Sequence, residues 1–288
     1  MPYHFARNLK NRQQGLSLIE LMVGIAIGPL VVAVAMVALL SSRGITGTVA
    51  DATSMQQQAA YAFRVIGQQI RQAGSIELNL DPDIASSSTN DSYKAMIPVA
   101  FDAPDPSNGH KTFNRQSDTL SGTNSPLSFT VGYQNYKEDV VSASGATSSS
   151  LLRDCLGQNP ALSPGGSLVL TPVLKSTFEY DFQKKELQCT GAGSSGKQAI
   201  IGNVTNMQVR YVAQTPGTDN LQYIPADPVP SNWNHIYAVE VCLEITGSER
   251  VSTEGATYKD CAGTSQSYGD RLVMVFRNLY QIRSQGQI

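Results

Sequence analysis

Residues Leu16 to Leu40 read LSLIELMVGIAIGPLVVAVAMVALL, twenty-five positions among which Glu20 is the one ionisable side chain. At a rise of 1.5 Å per residue, the twenty from Leu21 to Leu40 make a helix of about 30 Å, the thickness of a bilayer hydrocarbon core. A membrane-spanning helix is therefore predicted. Arg7, Lys10 and Arg12 precede the run with no acid among them, and the first acid after it is Asp51. That asymmetry keeps the amino terminus in the cytoplasm and exports the rest. A secretory signal would end in a small-residue cleavage site, and Ser41-Ser42-Arg43-Gly44 does not supply an A-x-A pattern. The apolar run is expected to stay in the product.

Outward from this stretch the helical pattern continues. Apolar or small residues recur at Ile45, Val49, Ala52, Ala59, Phe63, Ile66, Ile70 and Ala73, with Gln56, Gln57, Gln58, Arg64, Gln68, Gln69 and Arg71 on other faces. Gly74 is the expected stop. One helix from about Ser17 to Ala73 would be about 85 Å long if unbroken. Gly28 and Pro29 predict a local bend, because proline removes one backbone bond from a helix interior. A carboxylate in a membrane helix costs roughly 2.5–3.5 kcal/mol, so Glu20 needs a partner or a task. Ser17-Leu18-Ile19-Glu20 also fits the S/T-x-x-E capping box, which would occupy Glu20 locally.

Beyond about Ile76 the composition changes. Segment 79–127 is rich in Asp, Pro, Ser and Asn and reads as loops. Strands are predicted at Leu127–Tyr133, Ser167–Leu174, Thr177–Phe182, Gln198–Ile201, Val204–Ala213, Ile236–Thr246 and Leu272–Ile282. Ser142–Ser150, Gly191–Gly196 and the Pro-rich Thr215–Pro230 read as surface loops. In the Ile236–Thr246 strand, Val239, Val241, Leu243 and Ile245 share one face, expected to meet the helix stripe, with Glu240 and Glu244 opposite. One long helix packed on an antiparallel sheet is an α+β fold. Four cysteines, Cys155, Cys189, Cys242 and Cys261, lie beyond the apolar run, where export permits disulfides. Of three connectivities, Cys155–Cys189 with Cys242–Cys261 is preferred because each closes a local loop. A zinc site would want C-x₂₋₄-C spacing, which is missing.

The 288 residues are 41% hydrophobic and 15% charged, well under the roughly 25% charged of an average globular protein. A net charge of -2 argues against strong nucleic-acid binding. Gly191-Ala192-Gly193-Ser194-Ser195-Gly196-Lys197-Gln198 stops one residue short of a P-loop, since Gln198 stands where a magnesium-binding hydroxyl belongs. The histidines are His4, His110 and His235, and no G-x-S-x-G or H-E-x-x-H motif accompanies them. Asp-rich turns at 81–83 and 102–105 do not follow the EF-hand pattern. No catalytic constellation, cofactor or metal is expected, and an enzymatic role is not the reading.

Two sets of residues resemble a known family. Gly15-Leu16-Ser17-Leu18-Ile19-Glu20-Leu21-Met22-Val23, behind a short basic leader, resembles the class III signal of type IV prepilins and of the pseudopilins of type II secretion. Val204 to Tyr211, Trp233, the strand holding Cys242 and the closing Arg271 to Tyr280 resemble PilW-family minor pilins. The resemblance implies a type IV pilin-like fold and a prepilin peptidase that cuts between Gly15 and Leu16 and methylates the Leu16 amine. It implies that Glu20 pairs with the amino terminus of a neighbouring subunit. The organisation it implies is a leader at 1–15, a transmembrane and assembly helix at 16–40, an amphipathic second half at 41–74, and a periplasmic or extracellular β-rich domain at 75–288. Implied partners are other minor pilins, the major pilin, the inner-membrane assembly platform and a tip adhesin. The implied role is initiation of a type IV pilus at or near its tip, in an organelle that serves adhesion and twitching motility. A J-type pseudopilin of type II secretion and a competence pseudopilin that assists DNA uptake are the alternatives. Loss of the leader would remove Arg7, Lys10 and Arg12 and leave 18 basic against 23 acidic residues, a charge of -5 that does not favour a grip on DNA.

Overall fold

Helix α1 runs from Leu18 to Gln72, fifty-five residues with Pro29 inside it. The structure, a computed structural model, describes residues 15, 17–76, 78–79, 100–101, 113–136, 138–142, 145–159, 173–193, 196–215, 217–218 and 220–282. The chain separates into two compact units that meet between Ala50 and Asp51, inside the helix. In the first unit the side chains from Leu18 to Leu40 are all exposed, and the helix is long and apolar enough to cross a membrane. Such a surface is stable only against lipid or other apolar helices. Towards its end Thr46 and Thr48 donate their hydroxyls back to the carbonyls of Ser42 and Gly44, the local bonding that such residues use within a helix.

The second unit begins where the helix becomes two-faced. Met55, Ala59, Ala62, Ile66, Ile70 and Ala73 are buried at spacings of three or four, which places them on one stripe. The predicted stripe needs correction at its upper end. Val49 is exposed and Ala52 only half-buried, whereas Met55 and Ala62, absent from the prediction, are core. Gly74, at φ 72, takes the left-handed conformation that ends the helix, and its N–H donates to Gly132 O at 2.8 Å.

Among the described residues these strands follow: β1 Leu78–Asn79, β2 Ala100–Phe101, β3 Leu120–Asn124, β4 Leu127–Gln134, β5 Glu138–Ser142, β6 Gly145–Ser149, β7 Val173–Asp181, β8 Glu186–Gly191, β9 Gln198–Ile201, β10 Val204–Gln214, β11 Leu221–Pro225, β12 Ile236–Arg250, β13 Thr257–Lys259, β14 Ser265–Ser267 and β15 Arg271–Gln281. A single turn of helix, α2, occupies Arg115–Asp118. One sheet has the order β3-β4-β7-β8-β9, another β11-β10-β12-β15, and β1-β2, β5-β6 and β13-β14 form two-stranded ribbons. All pairings are antiparallel.

Both larger sheets contribute to the core that holds the helix stripe. Phe129 of β4 and Phe178 of β7, fully buried, stack with ring centroids 5.1 Å apart, worth about 0.5–1.5 kcal/mol beyond the area they bury. Val239, Val241, Leu243 and Ile245 of β12 are completely buried in the same cluster as Met55, Ile66 and Ile70. The period-2 face of this strand therefore meets the period-3.6 stripe of the helix.

Several regions read as loops hold regular elements. β3 and α2 lie in segment 79–127, β6 lies in Ser142–Ser150, and β11 lies in the Pro-rich Thr215–Pro230. β8 was not predicted at all. Thr177–Phe182 and the end of Ser167–Leu174 form a single strand, β7, while residues 167–172 lie outside the described ones. The cause is the same in each case: short or serine-rich strands are set by pairing with neighbours, and local composition does not report pairing.

Candidate functional site

The candidate site is the helix itself: its exposed apolar half, and the contacts by which its second half is held in the sheet domain. Ser17 begins α1 by accepting the N–H groups of Glu20 and Leu21 on its carbonyl, at 3.0 and 3.2 Å. The side-chain exchange of a capping box between Ser17 and Glu20 is not formed. Glu20 stands exposed in the first turn, a position that also favours a negative charge near the free N–H groups of the helix end. Gly15 is exposed, and Leu16 and residues 1–14 lie outside the described residues. The helix continues through Gly28 and Pro29 as one element.

Three polar contacts hold the second half. At its start, Asp51 is buried, with Ser248 Oγ donating to Oδ1 at 2.8 Å and the Glu249 N–H donating to Oδ2 at 2.7 Å. Burial raises the carboxyl pKa, but the Glu249 and Ser248 bonds and nearby Arg271 outweigh it and hold the group below its ordinary value. In the middle, the Tyr280 hydroxyl of β15 donates to Phe63 O at 2.7 Å. Gly67 permits that approach, since a Cβ there would stand 2.6 Å from the Tyr280 ring. Burial pushes the Tyr280 hydroxyl up to about 12.

At the end of the helix, Gln69 Oε1 accepts from Tyr133 Oη at 3.2 Å and Ser176 Oγ at 2.9 Å, while Nε2 donates to Arg153 O at 3.2 Å. Tyr133 also donates to Arg153 O at 2.5 Å, and its hydroxyl pKa is raised, chiefly by burial. Ser176 in turn accepts the Cys155 N–H at 3.0 Å. The buried polar groups of β4, β7 and the Cys155 loop thus converge on one helix side chain. None of Asp51, Gln69 or Tyr280 was singled out from sequence.

Cys155 is bonded to Cys189, and Cys242 to Cys261, with Cα atoms 6.5 and 5.8 Å apart. The second bridge ties the β13-β14 ribbon region to the even-numbered face of β12. Glu244 is buried there, accepting from Asn206 Nδ2 and the Cys261 N–H at 2.8 Å each and from Tyr258 Oη at 3.3 Å. Glu240, also buried, accepts Arg210 Nε at 2.8 Å and lies 3.7 Å from Arg277 Nη1. Both carboxylates opposite the core face are covered and satisfied, as buried charges must be.

The near-P-loop string is followed by β9 and not by a helix, and Lys197 pairs with Glu179. That arrangement lacks the helix amino terminus a phosphate would use. Among the described residues no three His, Cys, Asp or Glu side chains gather as a metal site. His235 sits in a 3-10 turn beside Trp233, and His110 and the turns at 81–83 and 102–105 lie outside the described residues.

One long amino-terminal helix, apolar in its first half, and antiparallel sheets define an α+β chain. Residues 173–284 match the family described as Type IV Pilus-assembly protein W. This stretch holds β7 to β15, with both Glu240 and Glu244. Among solved structures a type IV-like pilin from Thermus thermophilus matches at 11% identity and a TM-score of 0.31, over 59% of this chain and 84% of that one. No curated protein matches the sequence.

Proposed function

We propose that the chain is a minor pilin that helps to initiate a type IV pilus and sits at or near its tip, acting by subunit packing and not by catalysis. The observation that carries the reading is the exposed apolar first half of the helix, Leu18 to Leu40, with Glu20 as its lone charge, borne by a chain whose carboxyl-terminal part is PilW-like. A helix of this kind rests in a membrane or against other apolar helices. In the proposed sequence a prepilin peptidase cuts between Gly15 and Leu16 and methylates Leu16. The helix waits in the inner membrane with the sheet domain in the periplasm. Glu20 then pairs with the amino terminus of a neighbouring subunit as the filament starts, and the helix bends at Gly28 and Pro29 as it packs. Other minor pilins, the major pilin and the assembly platform are the proposed partners.

The test is genetic and chemical together. Deletion of the gene should abolish or sharply reduce surface pili, and restoration by the parent but not by Glu20→Ala should follow. Mass spectrometry of the membrane-extracted protein should find N-methyl-Leu16 as the first residue. Normal piliation in the deletion strain, with loss of protein secretion or DNA uptake in its place, would refute the pilus role.

A further inference from the structure

Among the described residues the four-stranded sheet ends in β11 and β15, and its two edges differ. On β15 the Leu279 N–H is taken by Asn278 Oδ1 at 3.0 Å, and Arg271 and Arg277 place charge along the strand. β11 has neither guard. The Thr215 N–H donates to Asn220 O at 3.0 Å and the Ala226 N–H to Val209 O at 3.2 Å, one at each end of the β10 pairing. In an antiparallel ladder, alternate residues share the same bonding side. Gln222 and Ile224 therefore bond to β10, and the backbone groups of Leu221, Tyr223 and Pro225 point outward. Leu221 and Tyr223 are also exposed, by 61% and 57%, on one face of the strand. Tyr223 is held there by the Arg210 guanidinium, 5.1 Å from its ring centroid, and Arg210 is itself neutralised by Glu240.

We propose that β11 is a self-pairing edge, through which a second copy of this chain adds its own β11 in antiparallel register centred on Tyr223. The layout is palindromic. Outward groups stand at 221, 223 and 225, so Tyr223 meets Tyr223 of the second copy and Leu221 meets Pro225. No charge lies in Leu221–Pro225, so pairing within these five residues sets no like charges opposite each other, while Asp219 and Asp227, opposite each other just beyond, stop the ladder from extending. Two Tyr223 N–H groups and two Leu221 N–H groups find carbonyl acceptors across the join. Pro225 has no N–H to donate, which confines pairing to this short length. An uncovered edge with exposed apolar side chains is the chemistry that strand addition uses.

The test uses the full chain in cell membranes with a short bismaleimide cross-linker. Tyr223→Cys should give a cross-linked dimer. Leu221→Cys alone and Pro225→Cys alone should not, because identical positions would lie about 13 Å apart at four residues' offset. Co-expressed with distinguishable tags, those two should cross-link to each other, since directly paired Cα atoms lie about 5.5 Å apart. Adding Leu221→Pro to Tyr223→Cys removes one donor per copy and should lower the cross-linked fraction several-fold. Each protein should take up a single maleimide, which shows that both native disulfides have formed. Phe182→Cys, in the exposed β7–β8 turn, is the control for random collision. Failure of Tyr223→Cys to dimerise in singly labelled protein, equal cross-linking at Phe182, or an adduct with a different subunit in place of the dimer would each overturn the proposal. None of these outcomes bears on piliation, so the pilus reading stands or falls separately.

Discussion

Gln69→Met is the substitution that best tests how the helix is held. Methionine is close to glutamine in volume and as good a helix former, so the change removes hydrogen bonds without opening a cavity. Tyr133 Oη keeps its 2.5 Å bond to Arg153 O. Ser176 Oγ loses its 2.9 Å acceptor and keeps only the bond it receives from Cys155. One buried hydroxyl is thus left without an acceptor, a loss of about 1–3 kcal/mol. Burying a thioether in place of an amide offsets part of it, and a net loss of about 1–2 kcal/mol is expected. With a guanidinium slope of about 4 kcal/mol/M, the unfolding midpoint should fall by about 0.25–0.5 M. Trp233, the single tryptophan, stands edge-on to the buried Tyr211 ring at 5.1 Å and reports the transition by fluorescence. The full chain in non-ionic detergent is the sample. Ser176→Ala removes the stranded hydroxyl, so the double variant should be less destabilised than the two singles together, by about 1 kcal/mol. A Gln69→Met midpoint within about 0.1 M of the parent, or strictly additive effects, would refute the latch.

Three further outcomes follow from the same contacts. Gly67→Ala would place a methyl 2.6 Å from Tyr280 Cε1, and overpacking of about 1–3 kcal/mol should exceed the roughly 1 kcal/mol gained in helix propensity, so a lower guanidinium midpoint is expected; a rise would show that the Tyr280 ring yields freely. Asp51 has a folded pKa below its ordinary 3.8, so its contribution is fully present above that value and is lost as the pH falls through the folded one. Asp51→Asn should therefore be less stable than the parent at about pH 6, with the gap narrowing as the pH falls below 3.8; a gap independent of pH would mean that the charge plays no part. Replacing Cys242 and Cys261 together by serine opens a bridge spanning 19 residues, which should lower stability by about 3 kcal/mol; an unchanged midpoint would mean that the ribbon is held by its other bonds, including Tyr258 to Glu244.

The legible parts of the fold are those in which a single segment carries its own signal. Leu16 to Leu40 announces a membrane-length helix by composition alone, and Val239, Val241, Leu243 and Ile245 declare a buried face by alternation. β11 lies in a Pro-rich stretch where turn signals dominate, and only pairing with β10 makes it a strand. The polar anchors were illegible for a related reason. Ser176 lies 107 residues from Gln69, and Ser248 lies 197 from Asp51. Gln69 still left a trace, because it stands seven residues from Ala62 and fourteen from Met55, both buried. A glutamine in core phase must find a buried partner, and that inference was available from the spacing once Met55 and Ala62 had been placed in the stripe.

The anchors also resolve what the apolar stripe leaves open. The buried stripe mixes Ala59, Ala62 and Ala73 with Met55, Ile66 and Ile70, and the apolar attraction that buries it is non-directional. Hydrophobic contact therefore fixes which side of the helix is buried more firmly than where along its axis it sits. Directional bonds supply the missing coordinate. Asp51 and Gln69, eighteen residues and about 27 Å apart along the axis, meet Ser248 and Ser176 on different strands, and any axial shift breaks both at once. Buried polar residues set register in this way in helical assemblies, at some cost in stability.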